Sequence, residues 1–554
     1  MKRTVSQRFR NLMLVGIAVV AISTPPEARS PKFYPDDPLM VAVEDQDAAG
    51  VKAADVNHTV SGWQAVRGIG DRSARRAMNV NSIDEVPDSS WFTNRIGSRP
   101  VSIDELAQGP NTAPEPISGP WTVVAGKVDG VTPGLQLKDA AGRHFFVKFD
   151  PPSNPEMASG AEVVATKLLF ALGYHVPENY IVTLGRDELT VGPSAAFKDQ
   201  SGKKRPMTAA DVDRVLAHAA RNADGTYRAL ASLAVEGQRI GPFEYAGTRA
   251  DDPNDFVPHE HRRELRALGV FAAWLNHVDT KSQNSLDTLV RVGPRVLVRH
   301  YLLDFGSALG SAGTAAKDWR DGYQYGFEAR TSLFSMLSLG GYTPSWVRIR
   351  YPNLPAVGRI EGDHFQPQQW KPTLPNTAFL NARADDTFWA ARRVMSFSDE
   401  AIRAAVATAR FSDPAATRYL GDVLIRRRDQ IGRTWLTDVN PVVNPAIDDQ
   451  GCLTFDNAAA AAGVATDPEA YHVKWSLFDN ATGTATPLDR WTPPAEVQCS
   501  APNGVPAAAG FVMAEISAID AQHPAWAGPV RSYFRRVIGN TWTLVGFERL
   551  HAEK

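Results

Sequence analysis

The chain has 554 residues, with 59 Lys and Arg against 61 Asp and Glu, which gives a formal net charge of −2. This balance argues against a protein that coats nucleic acid, because phosphate binding needs a basic excess or a basic stripe. Hydrophobic residues make up 43% and charged residues 22%, a composition typical of globular domains. The two cysteines exclude a disulfide-stapled small fold and a four-cysteine zinc site, so local motifs have to indicate the function.

Residues 1–30 are expected to form an export signal or an N-terminal anchor. An apolar run at 12–22 has the length of a signal-peptide core, is short for a membrane span, and ends near a small-residue cleavage site at 21–23. Four basic residues precede the run: Lys2, Arg3, Arg8 and Arg10. Cleaved or retained, such a segment leaves its positive flank inside, so we expect the remaining chain to be periplasmic or extracellular.

Residues 31–118 are polar and rich in proline and glycine, which predicts an irregular extension that lies against the next domain. Trp91 and Phe92 are its expected packing anchors. The following part, 119–256, is predicted to be rich in strands, with one helix at 158–172 that ends at Gly173 and an insert at 195–226. Its predicted strands are 121–124, 135–139, 144–149, 180–184 and 227–235, and the insert carries a helix at 210–220.

Residues 257–438 are predicted to be mainly helical. A helix at 258–277 precedes two short strands at 285–290 and 296–303, and helices dominate from about 315 to 436. The clearest of these are 385–394, 398–410 and 414–431. Alternating apolar residues then predict a separate all-β domain at 439–554. The predicted fold class is therefore α+β, with a sheet-rich part, a helical part and a C-terminal β domain.

A glycine-containing loop joins the first two predicted strands. Its glycines are Gly126, Gly130 and Gly134, and Lys127 lies between the first two. Small residues let backbone amides approach phosphate oxygens closely, so these four residues are candidate nucleotide contacts. A solvated loop lysine is an equal interpretation of Lys127.

Five polar residues follow this loop at positions that phosphoryl transfer from a nucleotide requires. Lys148 on the third strand would neutralise the α- and β-phosphates, and Glu162 on the next helix would hold that lysine in place. Asp279, in the segment His-Val-Asp-Thr-Lys-Ser-Gln-Asn at 277–284, would orient the acceptor hydroxyl. Asn284 and Asp304, the latter in an Asp-Phe-Gly segment, would hold Mg²⁺ or Mn²⁺.

This arrangement resembles the protein-kinase-like superfamily, in particular its HipA-type, phosphoinositide, CotH-type and secretory-pathway branches. The resemblance implies a two-lobed kinase fold, with an N-lobe at 119–256, a C-lobe at 257–438 and ATP in the cleft between them. It also implies transfer of the γ-phosphoryl of ATP to a hydroxyl of a protein, lipid, sugar or small molecule. Val278 stands where the family usually has an arginine that grips a phosphorylated activation loop, so that form of regulation is not expected.

Three alternatives to a working kinase stay open. ATP is normally scarce outside the inner membrane, which favours a non-catalytic nucleotide-binding protein or a cell-surface binding protein that acts through 440–554. Retention of all five polar residues argues against the non-catalytic alternative. A kinase-fold enzyme that transfers a group other than phosphate is the third alternative. Association with the cell envelope, through the N-terminus or the C-terminal domain, is compatible with each of them.

Cys452 and Cys499 both lie in the predicted β domain. In an exported protein the natural interpretation is one disulfide, and two unpaired buried thiols are the alternative.

Overall fold

The computed structural model describes residues 30–54, 75–116, 119–126, 132–198, 203–326, 345–449, 451–488, 505, 509–537 and 541–550. Within these ranges, no helix combines the length and the apolar character that crossing a membrane requires. The predicted export segment at 1–30 lies almost entirely outside them.

The first large element is a seven-stranded sheet in the spatial order β4-β7-β3-β2-β1-β5-β6. All neighbouring strands are antiparallel except β1 and β5, which run parallel. The strands are β1 Trp121–Gly126, β2 Gly134–Lys138, β3 His144–Phe149, β4 Asn179–Leu184, β5 Leu189–Lys198, β6 Lys204–Pro206 and β7 Tyr227–Leu233. The predicted strands of this part are confirmed. Strand β6 and the end of β5 lie in the predicted insert at 195–226, and the start of β5 lies before it, where no strand was predicted.

Two helices pack on this sheet. Helix α2, Met157–Leu172, follows α1, Ile103–Gln108, and is buried along almost its whole length because its residues are largely alanine, valine and leucine. It ends at Gly173, whose φ of 121° places it in the region that favours glycine. Helix α3, Ala209–Leu216, packs on the sheet core and is shorter than the predicted 210–220.

A short strand, β8 Gln238–Gly241, leads into the helical part and extends the hairpin of β9 Ser285–Val292 and β10 Arg295–Leu302. Helix α4, Arg263–Leu275, is shorter than the predicted 258–277, because Arg262 is extended with ψ of 127° and separates α4 from a 3₁₀ turn at His259–His261. The other helices among the described residues of this part are α5 Thr377–Leu380, α6 Ala384–Met395, α7 Asp399–Ala407 and α8 Pro414–Trp435.

The prediction that helices dominate from 315 is wrong for the described residues in the first part of that range, and 327–344 lie outside the described residues. Between Ser311 and the start of α5, the described residues form turns, isolated bridges and two 3₁₀ turns. The segment is rich in glycine and proline, which do not sustain helix interiors. Among the described residues of this range, the longer helices begin at α6, whose Phe388 and Trp389 lie in the main core.

The C-terminal region is built from strands, as predicted. A two-stranded sheet precedes a five-stranded antiparallel sheet in the order β14-β13-β15-β16-β17. Its elements are β11 Val442–Ile447, β12 Leu453–Asn457, the single-turn helix α9 Ala458–Ala461, β13 Ala470–Asp479, β14 Thr484–Pro487, β15 Phe511–Ile519, β16 Val530–Arg536 and β17 Trp542–Arg549. Val443, Ala459, Ala518 and Trp526 share one hydrophobic core with the helical part, so the two regions pack as neighbours without a separating linker.

The described residues of the N-terminal extension are irregular apart from α1, and they contact the helical part as well as the sheet-rich part against which the extension was predicted to lie. Trp91 and Phe92 are buried in the main core. Asp84 accepts a hydrogen bond from Arg263 at 2.8 Å, and Arg263, which is fully buried, also donates to Asp386 of α6 at 3.0 Å. The α+β fold class predicted from the sequence is confirmed, whereas the exact domain boundaries stay predictions.

Candidate active site

A cavity of about 1180 Å³ lies where the seven-stranded sheet meets the helical part. Five residues of the predicted phosphotransfer set line it together: Lys148, Glu162, Asp279, Asn284 and Asp304. They come from β3, α2, the segment after α4 and the segment after β10. The fold therefore brings to one cavity side chains that are up to 156 positions apart in the sequence.

Lys148 reaches this cavity because of strand alternation. On β3, Phe145, Val147 and Phe149 are buried in the sheet core, so the intervening positions, Lys148 among them, face the cavity. Lys148 Nζ lies 2.9 Å from Glu162 Oε2 and 2.8 Å from Asp304 Oδ1. Burial lowers the pKa of Lys148, but the two carboxylates outweigh burial and raise it overall, which keeps the ammonium charged.

Glu162 is the deeper of the two carboxylates, with only 3% of its side chain exposed against 50% for Asp304. Burial raises its pKa, while Lys148 and the backbone N–H of Phe305 stabilise its charged form. A Cβ at Gly306 would lie 3.1 Å from Glu162 Oε2, so a glycine lets the Asp-Phe-Gly turn approach the ion pair. Glu156, the other acid near the start of this helix, occupies the N-cap position of α2 and accepts a hydrogen bond from the Ser412 amide instead.

The segment at 277–284 begins where α4 ends. Asn276 adopts a left-handed conformation with φ of 47°, which turns the chain towards the cavity. Asp279, about one-third exposed, accepts a hydrogen bond from Lys281 Nζ at 3.0 Å. The Asn284 side-chain amide donates to the Asp279 carbonyl at 2.7 Å, which links the predicted metal ligand to the predicted acceptor-orienting residue.

His277 is buried beneath this segment. Its ring packs edge-on against Phe305 at 5.6 Å, and burial lowers its pKa to about 4. The imidazole is therefore neutral near pH 7 and packs the Asp279 segment against the Asp-Phe-Gly turn. This placement agrees with a structural role for His277 rather than a chemical one.

Asp304 is held in a left-handed conformation, with φ of 59°, two residues after the end of β10. An aspartate tolerates this conformation better than most residues, and here it turns the carboxylate towards Lys148. The turn is supported by Lys317, which is 1% exposed and donates from Nζ to the Ser307 carbonyl at 2.6 Å. Burial lowers the pKa of Lys317 to about 8.

The glycine loop is only partly described, because Lys127 and Gly130 lie outside the described residues. Gly126 ends β1, and a Cβ there would lie 2.9 Å from the ring of Phe197 on β5. Gly134 begins β2 and stands directly across from Lys148 in the strand register. Of the described loop residues, Thr132 lines the cavity.

The donor set fits a divalent cation that arrives with nucleotide phosphates. Mg²⁺ is usually held by one or two carboxylates together with phosphate oxygens and water. Asp304 is half exposed and Asn284 lines the same cavity, so both can turn an oxygen towards such an ion. In the described part of the chain, no group of three or more His, Cys, Asp or Glu side chains forms a dedicated metal cage.

Sequence reasoning missed several polar residues of this site. Lys281 carried a signal, since it stands two residues after Asp279 and faces the same carboxylate. No sequence signal indicated three others, which lie outside every motif: Lys317, Glu244 and Tyr245. Only the tertiary fold brings them to Asp279 and its surroundings.

Comparisons with known proteins place kinases among the similar structures. No family model matches the chain, and no curated protein matches it. The Helicobacter pylori proinflammatory kinase CtkA is similar over 55% of this chain and 91% of that one, with 13% sequence identity and a TM-score of 0.28. A Golgi casein kinase is similar over 72% of this chain and 94% of that one, with 10% identity and a TM-score of 0.29. The same kinase with Mn/ADP bound covers 72% and 96%, at 10% identity and a TM-score of 0.26.

These neighbours belong to the class that the motifs predicted. Their TM-scores lie below 0.5, so the likeness carries no argument about what this chain does. The function is therefore inferred from the positions of the chain's own side chains.

Proposed function

We propose that the protein is a kinase-like phosphotransferase that moves the γ-phosphoryl group of ATP to a hydroxyl acceptor with the help of Mg²⁺ or Mn²⁺. One observation carries the proposal. Lys148 bridges a buried glutamate on a helix and an aspartate of an Asp-Phe-Gly turn, in a cavity that Asp279 and Asn284 also line. Lysine, helix carboxylate, acceptor-side aspartate and metal-side pair each have a role in phosphoryl transfer from a nucleotide.

In the proposed reaction, the acceptor oxygen forms a bond to the γ-phosphorus while the bond from that phosphorus to the β,γ-bridging oxygen breaks, which releases ADP. The acceptor proton passes to the Asp279 carboxylate and then to solvent. Lys148 would leave Asp304 to contact the phosphates while Glu162 keeps it positioned. A bound Mg²⁺ would neutralise charge on the β- and γ-phosphate oxygens, and Asp304 and Asn284 are the residues that would hold it.

Two substitutions test these roles because they should fail differently. Asp304→Asn should weaken MgATP affinity together with transfer, since it removes a metal-binding carboxylate. Asp279→Asn should leave nucleotide affinity nearly unchanged, while transfer falls by ~10²–10⁴-fold, the usual size of a general-base contribution. The measurements are isothermal calorimetry with a non-hydrolysable ATP analogue and label transfer from γ-labelled ATP.

The matched control is Glu236→Gln, because the Glu236 side chain is 72% exposed and does not line the cavity. From the sequence, replacement of the nearby acid Asp287 would be expected to have little effect, but Asp287 is not a suitable control position. It is fully buried and paired with Arg249 at 3.2 Å and His300 at 2.7 Å. Nucleotide binding without transfer to any acceptor would favour a non-catalytic nucleotide-binding protein. Transfer of another group of ATP would favour a kinase-fold enzyme that transfers a group other than phosphate.

We also propose that the protein is exported and carries a disulfide between Cys452 and Cys499. The apolar run at 12–22 supports export. Cys452 is buried beside β12, while Cys499 lies outside the described residues. Fractionation of cells that express the full chain tests the first point, and recovery of all the protein from the cytoplasm would reject it.

A further inference from the structure

Two cavity-lining side chains near Asp279 have no role in the proposed transfer: Glu244 and Tyr245. Ser282, three residues after Asp279, donates from Oγ to Glu244 Oε2 at 2.7 Å and so ties this glutamate to the Asp279 segment. Both Asp279 and Glu244 act electrostatically on the Tyr245 phenol. The three groups therefore share one region of the cavity, the region where Asp279 would meet the acceptor.

Glu244 has no cationic partner within the described part of the chain. Asp279 is balanced by Lys281 at 3.0 Å, but no described Lys, Arg or His nitrogen lies within 4.0 Å of the Glu244 carboxylate. A cavity built for a polyphosphate should avoid unbalanced negative charge, because like charges at short range repel strongly in a partly buried site. A carboxylate kept there is best explained if the acceptor itself brings a positive charge.

Tyr245 supplies a second and independent observation. The residue is 7% exposed, and its ring packs edge-on against Phe243 at 5.4 Å and Phe379 at 6.2 Å. No described residue makes a hydrogen bond to its phenol oxygen, and the side chain lines the cavity, so the hydroxyl can donate to a molecule bound there. Burial raises the pKa of Tyr245 above its usual range and Asp279 and Glu244 raise it further, so the phenol remains a neutral donor.

We propose that the acceptor carries its hydroxyl close to a cationic nitrogen. Glu244 binds the cation, Tyr245 donates a hydrogen bond to an oxygen of the acceptor, and Asp279 receives the hydroxyl proton as phosphate is transferred. This inference rests on the proposed function and narrows its substrate class. An amino sugar or amino alcohol offers this chemistry, and so does a serine beside lysine or arginine in a peptide.

The experiment measures phosphate transfer from MgATP by the full chain to matched pairs of acceptors. Glucosamine is compared with glucose, and a serine peptide flanked by lysines is compared with one flanked by glutamates. The cationic member of at least one pair should be preferred, and the pair that shows the preference identifies the source. Glu244→Gln should lower kcat/KM for the cationic acceptor about tenfold, the effect of losing one charge-assisted contact, while KM for MgATP and the rate with the neutral acceptor stay the same.

Two further variants keep the test specific. Tyr245→Phe should lower kcat/KM for both members of a pair, because it removes the hydrogen bond and leaves the charge of Glu244 in place. Glu236→Gln should change neither. Equal or greater transfer to the neutral or acidic member, or no transfer to any cationic acceptor by protein that binds MgATP, overturns the inference. Folded protein that binds no MgATP overturns the proposed function instead.

Discussion

Lys148 makes two ion pairs of almost equal length and very unequal burial, and this difference leads to a quantitative prediction. The distances from Lys148 Nζ are 2.9 Å to Glu162 and 2.8 Å to Asp304, but the exposed fractions of the two carboxylate side chains are 3% and 50%. Water can solvate Asp304 when the lysine is removed, whereas Glu162 is left as a buried charge without its cation. The two pairs should therefore contribute very differently to stability.

Double-mutant cycles separate the two contributions. Exposed pairs couple by ~0.2–1 kcal/mol, and removal of one partner of a buried pair costs ~3–5 kcal/mol. Partial exposure of Lys148 lowers the second figure, so we expect a coupling energy of about 2–3 kcal/mol between Lys148→Met and Glu162→Gln. Between Lys148→Met and Asp304→Asn it should stay below about 1 kcal/mol.

The assay is denaturant unfolding of the nucleotide-free full chain for each single and double variant. The Lys148→Met/Glu162→Gln double variant should be more stable than Lys148→Met alone, because it no longer buries an orphan carboxylate. Equal coupling energies for the two cycles, or a larger one for Asp304, would refute the assignment of Glu162 as the residue that holds the lysine.

Three further predictions concern stability. Gly173→Ala should cost about 2–4 kcal/mol in the free energy of unfolding, because the added Cβ would lie 2.3 Å from the Phe92 ring at a φ of 121°. The control is Gly142, which has a φ of 77° and open space around it, so Gly142→Ala should cost only about 1 kcal/mol. Similar losses of stability in the two variants would contradict the packing of Phe92 against Gly173. Burial lowers the pKa of His175 to about 3, so the unfolded chain binds a proton before the folded one and stability is lost as the pH falls from about 6.5 towards 3. His175→Gln should therefore reduce the loss of stability between pH 7 and 4.5 by about 2 kcal/mol, whereas the exposed control His218→Gln should not. If the free energy of unfolding fell equally steeply with pH in His175→Gln and in the wild-type protein, the lowered pKa of His175 would be rejected. A Cys452–Cys499 disulfide should contribute ~2–4 kcal/mol, and two reactive thiols in the denatured, unreduced protein would disprove it.

The sequence predicted most of the active site because its residues stand in local patterns. The strand alternation of 144–149 placed Lys148 opposite the core-facing phenylalanines, and the apolar helix that comes next placed Glu162 within reach of it. Asp279 and Asp304 each lie in a short motif, and the two motifs occur along the chain in the order that their predicted roles require. Such motifs can be recognised in the sequence because each consists of residues that are close together along the chain.

Other features depend on contacts that no local pattern reveals. Asp287 looked like an ordinary strand residue, yet the β9–β10 register sets it directly across from His300. Strand β5 was missed because Gly192 and Pro193 interrupt its pattern, and β6 because the polar stretch around it lacks the alternation of a strand. Glu244 and Tyr245 lie in the turn after β8, and only the fold brings them to Asp279.

The central claim is that the cavity around Lys148 binds a nucleotide together with a divalent cation. Its most direct test is a calorimetric titration of the folded full chain with a non-hydrolysable ATP analogue, with Mg²⁺ or Mn²⁺ and without either. We predict one saturable site whose affinity depends on the cation and which Lys148→Met abolishes, while Glu236→Gln leaves it unchanged. Absence of binding under every metal condition, or binding that Lys148→Met does not affect, would contradict the claim.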